Sequence, residues 1–408
     1  MYLHLTKNNL KNINIKSKIT QSLSKNINKA YSLLQPFNSF SKYFSTKTNS
    51  FYNMQKFKFS GDLSAGVKNM ENQELNNVKT PEQIMKEIDP LKTRNIAIIA
   101  HVDHGKTTLV DCMLSQGGGI NITNNERAMD SNELEQERGI TILSKATAIS
   151  YNGMKINIVD TPGHQDFGGE VERIMTMVDS VCLVVCACEG PMPQTRYVLQ
   201  KALSYGIKPI VVINKSDREA ARLTDVENEI FDLFISLDAT EEQLEYPLIY
   251  ASAKNGWASF DPPTKENPVP SGNVFPLMDT IINSCPSPKV SNLNDDFKML
   301  ITQIESNNFF GKMLIGKIES GIIEVGSKVS AVDQNGEIVE NGKIFKIIKR
   351  IGTSQIELQK AGAGDVVLIS GFNTATVSHT LNVQGKKEVI KVRKLLLFIF
   401  RVFQLTHL

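Results

Sequence analysis

Gly105-Lys106-Thr107-Thr108 places a cation and two hydroxyls directly after a glycine. At the mouth of a helix this order suits phosphate. Successive backbone N–H groups and the helix amino end form a positive nest, Lys106 can reach the β- and γ-phosphates, and the Thr107 hydroxyl can ligate Mg²⁺. The general phosphate-loop pattern opens with glycine, and here that place is Ala100. A second group stands at Asp160-Thr161-Pro162-Gly163-His164. The Asp160 carboxylate can hold Mg²⁺ through water. Gly163 can offer its N–H to a γ-phosphate, and His164 beside it can orient an attacking water. A third group, Asn214-Lys215-Ser216-Asp217, can choose the base. A carboxylate at Asp217 accepts from N1–H and the 2-amino group of guanine, a donor pair that adenine lacks. Asn214 can tie this loop to the phosphate loop, and the stem of Lys215 can cover the base. A backbone N–H in Ser252-Ala253-Lys254 can meet the guanine O6.

These groups need a frame. Asn95–Ala100, Lys155–Asp160, Pro209–Ile213 and Ile249–Ala251 are short apolar runs of the kind that form buried parallel strands. Each chemical group follows directly on one of them, which predicts an α/β domain with a mostly parallel sheet and its ligand at the carboxyl edge. Between the first two groups lies a long polar stretch, Gln116 to Glu137, then Arg138-Gly139-Ile140-Thr141. A long loop inside a compact domain is usually functional. Thr141 is the natural second hydroxyl for Mg²⁺ when triphosphate is bound, ordered when loaded and released after hydrolysis.

From Asp295 the pattern changes. Met299–Ile304, Met313–Ile318, Lys328–Val332, Ile344–Ile351 and Asp365–Ile369 are β-branched runs punctuated by glycines. They predict a small all-β barrel. Pro286-x-Pro288 and Ser291-Asn-Leu-Asn294 read as the linker.

The chain has 408 residues, 41% of them hydrophobic and 22% charged, enough to build packed cores in about two to three domains. Five cysteines are too few and too scattered for a disulfide scaffold. No apolar run approaches the roughly 20 residues that span a bilayer. Lys and Arg total 45 against 43 acids, yet residues 1–61 hold ten lysines and no acid, so the body is acidic. Such a body does not bind nucleic acid by bulk charge, and any RNA contact must come from a local patch. Within the basic segment Ile15, Ile19, Leu23, Ile27 and Tyr31 recur every fourth residue, opposite Lys11, Lys18, Lys25 and Lys29. A basic, acid-free, amphipathic, Ser- and Asn-rich start has the features of an organelle transit peptide, with Lys in place of the usual Arg. The expectation is import into the mitochondrial matrix, with plastid or cytoplasm as alternatives, and cleavage between Ser41 and Gln55.

The segments AHVDHGKTTLVD, ERGITI, DTPGHQDFGGEV, NKSD and SAK resemble the translational GTPases. SNELEQERGITIL, FGGEVERIMTMVDSV, EGPMPQTRYV and FDLFISLDATEEQLEYP are most similar to the BipA/TypA branch, less to elongation factor G or LepA. The resemblance runs from about Thr93 to about Asn382. It implies an α/β P-loop GTPase domain followed by a small β-barrel, binding GTP, GDP and Mg²⁺ and docking as a monomer on ribosomes, whose large-subunit RNA prompts hydrolysis. By this resemblance His164 is the water-orienting catalytic residue, with Lys106 and Thr141 beside it in catalysis, and Val102 and Ile140 form an apolar gate. Asp103, His104, Gly105, Lys106, Thr107 and Thr108 match the phosphate loop. Thr107, Thr141 and Asp160 match the metal ligands, and Gly163 the γ-phosphate sensor. Asn214, Lys215, Asp217, Ser252, Ala253 and Lys254 match the base pocket.

The expected organisation is residues 1–61 as transit segment, 62–92 as linker, 93–288 as nucleotide domain, 295–382 as barrel and 383–408 as an atypical tail. Two features depart from the family. Cys186-x-Cys188 stands at the end of a core strand, with Cys186 where the family usually has Asp. Two thiols are too few for tetrahedral zinc, so they read as small buried hydrophobes. Family members continue for several domains past the barrel, whereas Val383 to Leu408 resembles nothing in the family and reads as a gene-model artefact, the chain as truncated. The competing expectation is a non-catalytic GTP-binding protein unable to engage the ribosome productively. An ATPase is disfavoured by Asn214-Lys-Ser-Asp217.

Overall fold

The computed structural model describes residues 80–117, 145–161, 168–267, 272–290, 292–307, 310–352 and 354–391. The readings of residues 1–61, of 392–408, and of Ile140, Thr141, Gly163 and His164 fall outside the described residues.

The first structured element was expected to be linker. Thr80 caps a short helix, α1 (Pro81–Lys86), through a reciprocal capping box with Gln83. The T-x-x-Q spacing with proline at the first helical position is the sequence signal for it. Met85 of α1 is buried against Ala148 and Ile351.

A seven-stranded sheet follows, built from β1 (Thr93–Ala100), β2 (Lys145–Tyr151), β3 (Met154–Asp160), β4 (Ser180–Cys186), β5 (Lys208–Asn214), β6 (Leu248–Ser252) and β7 (Trp257–Ser259). The order is β2-β3-β1-β4-β5-β6-β7. The five central strands are parallel, and β2 and β7 close the edges antiparallel. Strand residues alternate between two buried faces, which is why the runs are apolar without a break. Ile96 and Ile98 of β1, with Cys182 and Val184 of β4, pack on α2 (Lys106–Gln116) and α7 (Phe275–Ser284). Ala97, Ile99, Leu183 and Val185 face the opposite layer. That layer holds α3 (Gly168–Met175), α4 (Pro193–Ser204) and α5 (Leu223–Ser236), and a short α6 (Glu241–Leu244) follows α5 in the chain. No described helix is long and apolar enough to cross a membrane.

The second sheet is antiparallel. Its strands are β8 (Lys298–Leu300), β9 (Gln303–Asn307), β10 (Gly311–Ser320), β12 (Lys328–Val332), β13 (Ile338–Lys343), β14 (Lys346–Ile351), β15 (Ser354–Leu358), β17 (Val366–Ser370) and β18 (Thr380–Val383). They run β13-β12-β18-β8-β10-β17-β14-β15, with β9 on β10, while β11 (Ile322–Glu324) pairs β16 (Lys360–Gly362). The run Met299–Ile304 is two strands rather than one. Ile301 N–H donates to His379 O and Thr302 N–H to Ile315 O, so the chain changes partners between them. Residues past Asn382 do not leave the barrel at once. Val383 pairs with Val329, Gly385 N–H donates to Ser330, Lys386 pairs with Asp296, and Asn382 donates to Glu388 O at 2.7 Å.

The two sheets share a core. Met313, Ile315, Ile348, Val366 and Leu368 of the barrel join the apolar cluster that lines α3, α4 and α5. Polar ties flank it. Thr147 Oγ1 accepts from Gly352 N–H at 2.7 Å, and Arg173 donates to Thr302 O at 3.2 Å. Asp365 lies buried between Lys155 on β3 and Lys349 on β14, at 2.9 and 2.7 Å.

Candidate functional site

The carboxyl ends of β3, β1, β5 and β6 lie along one edge of the sheet, with β4 between β1 and β5, and every described candidate residue lies on them or just past them. The chain leaves β1 at Ala100 and turns through His101 to Gly105 before α2 begins at Lys106. The turn needs left-handed backbone at Asp103 (φ 62°) and at Gly105 (φ 89°). Gly105 is required for a second reason, because a Cβ there would lie 2.3 Å from Asn214 Nδ2. Gly105 at the N-cap of α2 offers no side-chain cap, which suits the amino end of that helix to an anion.

Asn214, at the end of β5 and 2% exposed, joins the loops. Its Nδ2 donates to His104 O at 2.9 Å, and its Oδ1 accepts from Ala253 N–H at 3.0 Å. One amide therefore fixes the phosphate loop and the Ser252-Ala253-Lys254 loop at once. Ser216 N–H donates to Ala251 O at 3.0 Å, adding a second tie between β5 and β6. Lys215 sits in left-handed backbone (φ 61°), which turns the loop so that Asp217 reaches the surface. Asp217 Oδ2 accepts from Asn255 Nδ2 at 3.0 Å, and Asn255 N–H donates to Ser252 Oγ. Asn255 is a residue that the motif reading passed over; the signal was only its place directly after Ser252-Ala253-Lys254.

Lys106 and Asp160 form a buried ion pair, and Lys106 also donates to Thr161 O at 2.6 Å. Thr161 is anchored in turn through its hydroxyl to Ile98 O. The side chains of Thr107 and Thr108 stand on the first turn of α2.

His104 has a different part. Its ring is fully buried, Nδ1 accepts from Cys186 N–H at 3.3 Å, and Nε2 lies 3.5 Å from Glu189. Burial, with His101 stacked edge-on at 5.2 Å, lowers its pKa to about 4 against the pull of Glu189. The imidazole is neutral and pins the phosphate loop to the end of β4; its side chain faces the sheet rather than a ligand.

The donor chemistry fits Mg²⁺. A threonine hydroxyl and a carboxylate are hard oxygens, and Mg²⁺ characteristically takes one or two from the protein and the rest from phosphate and water. Among the described residues no group of three or more His, Cys, Asp or Glu gathers as a metal cage.

A parallel sheet with a glycine-lysine-threonine loop at its carboxyl edge, welded to an Asn-x-x-Asp loop, defines the class: a P-loop guanine-nucleotide-binding protein with an appended β-barrel. Residues 91–287 match the family described as elongation factor Tu GTP binding domain. The chain is 51% identical over 292 residues to the large ribosomal subunit assembly factor BipA of Escherichia coli K12, covering 71% of this chain and 47% of that one. Against the BipA of Salmonella typhimurium it is 50% identical over 290 residues, with the same two shares. Against that of Buchnera aphidicola from Acyrthosiphon pisum it is 49% identical over 290 residues. Residues 91–287 thus carry a GTP-binding domain of the elongation factor Tu kind, the chain is similar to BipA/TypA-like translational GTPases, and it spans about half the length of the curated relatives it matches.

Proposed function

We propose that the chain binds GTP with Mg²⁺, hydrolyses it to GDP and phosphate, and acts as a monomeric BipA-type factor on the ribosomes of mitochondria. The observation that carries this is the Asn214 amide, which holds the phosphate loop and the base-pocket loop at fixed distance. Asp217 and Asn255 then offer guanine a preset carboxylate, and Lys106 with the α2 N–H groups holds the β- and γ-phosphates. In that step Lys106 trades part of its contact with Asp160 for phosphate. Thr107, Thr141 and Asp160 would hold Mg²⁺, which neutralises charge on the phosphates when bound. His164 orients the attacking water, so catalysis rests on positioning and charge stabilisation rather than covalent chemistry.

The relatives named as assembly factors of the large ribosomal subunit support that particle as the partner. The basic, acid-free stretch 1–61 supports mitochondrial import. GTP turnover by the full chain, with and without mitochondrial large subunits, tests the reading. His164→Ala should keep guanine-nucleotide affinity and lose about 100-fold of the stimulated turnover, the scale of a lost proton-transfer or positioning group. Binding with no stimulated turnover would instead favour a non-catalytic GTP-binding protein.

A further inference from the structure

Gln116 closes α2, the helix whose other end carries Lys106 and Thr107. At 1.5 Å per residue, about 16 Å of helix separates that phosphate-facing end from the Gln116 amide. Gln116 is half-buried, and its amide is used on both sides. Nε2 donates to Gly256 O at 2.8 Å, with Cys112 Sγ at 3.5 Å, and Oε1 accepts from Val274 N–H at 2.8 Å. Val274 is the N-cap of α7 and is fully buried. One side chain thus ties the far end of the phosphate-loop helix to the turn after β6 and to the start of α7.

The turn it holds carries the base-pocket residues. Ser252 to Gly256 closes on itself through Gly256 N–H, which donates to Ser252 O at 2.9 Å. Gly256 is in left-handed backbone (φ 76°), and a Cβ there would stand 3.1 Å from Gln116 Nε2, so the glycine leaves room for the amide. Asn255, directly before it, donates from Nδ2 to Asp217 Oδ2 at 3.0 Å and from its N–H to Ser252 Oγ at 3.3 Å. Asp217 and Asn255 are both exposed. A hydrogen bond between two exposed side chains fixes little by itself, because water competes for each partner. Its geometry is set by the backbone under Asn255, and that backbone is what Gln116 pins.

We propose that Gln116 is a positioning residue for base recognition: through Gly256 it holds Asn255 where Asn255 aims the Asp217 carboxylate at the 2-amino group of guanine. This role rests on the guanine-nucleotide reading, and Gln116 acts through the turn, not on the base itself. A carboxylate has about four lone-pair sites, so Oδ2 can keep Asn255 and still accept from the base. Its two oxygens meet two donors, N1–H and the 2-amino group. Hypoxanthine keeps N1–H and lacks the amino group, so the contrast between GDP and IDP reads how well the carboxylate is aimed. A charge-assisted hydrogen bond to the amino group gives GDP a preference of about 10- to 100-fold.

Competition of GDP and of IDP against a fluorescent GDP, on the full chain, gives both affinities. Gln116→Ala should shrink the preference for GDP over IDP about fivefold or more, the scale of one lost hydrogen bond. Gln116→Glu still accepts from Val274 N–H but brings a carboxylate against Gly256 O in place of the donor, and should shrink it as far. Asn255→Ala, a surface change, should do the same. A fold merely loosened by a substitution weakens GDP and IDP by one common factor and leaves their ratio alone, because the competent fraction multiplies both affinities. A ratio unchanged in either Gln116 variant overturns the proposal, and so does one unchanged in Asn255→Ala, which would leave Gln116 nothing to act through. A native chain that binds GDP and IDP equally sinks the guanine reading itself, an outcome that the variants play no part in.

Discussion

At the carboxyl edge of the first sheet the tie between loops is a neutral amide, Asn214, while at the seam to the barrel it is a carboxylate, Asp365, held by two lysines. Both are buried, and both satisfy partners from segments far apart in sequence. The chemistry differs in what separation costs. An amide that exchanges one hydrogen bond for another loses little, so the tie made by Asn214 carries no bare charge when it parts. A carboxylate parted from its lysines in a dry interior leaves bare charge, which is far more costly. The edge is therefore the less costly of the two to part, and the seam the more costly.

The sharpest way to break this contrast is Asp365→Ala. It leaves Lys155 and Lys349 buried side by side with no countercharge, although Lys155 keeps its bond to Glu87 O. The expected loss is about 3–5 kcal/mol of unfolding free energy in urea, the range for removing one partner of a buried pair. A loss under about 1 kcal/mol would show that water reaches the seam and that it is not the dry junction described.

Asn214→Ala tests the other side. It strips partners from His104 O and from Ala253 N–H, two buried backbone groups, at about 1–3 kcal/mol each. Because both belong to loops that grip nucleotide, the effect should fall on affinity more than on the fold. Fluorescent GDP should bind about 30- to 1000-fold more weakly, with the urea midpoint shifted less than for Asp365→Ala. Equal shifts in both measurements would erase the distinction between a yielding edge and a locked seam.

The edge was legible in the sequence and the seam was not, for a physical reason. Phosphate and base recognition draw on runs of adjacent residues at strand ends, so Gly105 to Thr108, Asp160 and Asn214 to Asp217 each announce themselves within a few positions. The same locality hid what the runs do to each other. Nothing in the motif says that the ring of His104 turns inward to Cys186, or that Asn255 steadies Asp217. Lys155, Lys349 and Asp365 belong to no local pattern. Lys349 shares its strand with Lys346 and Arg350, Lys155 shares its strand with Asp160, and Asp365 stands in a turn, so nothing local singles them out, and only the packing of β14 beside β2 brings them together. The capping box of α1 was readable from Thr80 and Gln83, yet its charged, polar surroundings read as linker until Met85 was seen to fill the seam.

Lys349→Met should have the smallest effect, and its size is informative because the seam holds two lysines against one carboxylate. Burial lowers the Lys349 pKa to about 7, with Lys155 adding to the shift and Asp365 opposing it. Methionine keeps most of the volume, and Lys155 alone still bonds both oxygens of Asp365, at 2.9 and 3.1 Å. The expected change near pH 7 is within about 1 kcal/mol. The pH dependence should move more. Between about 7 and the ordinary value of 10.5 the unfolded chain holds a proton on Lys349 that the folded chain lacks. Stability from this group is therefore full above 10.5 and is lost as pH falls through 7. Urea unfolding of the native chain should accordingly gain stability between about pH 7 and pH 9 relative to Lys349→Met, which has no such group to titrate. Parallel pH curves for the two chains would mean that the excess charge of the seam rests on Lys155, and that the lock is a single pair with a spectator.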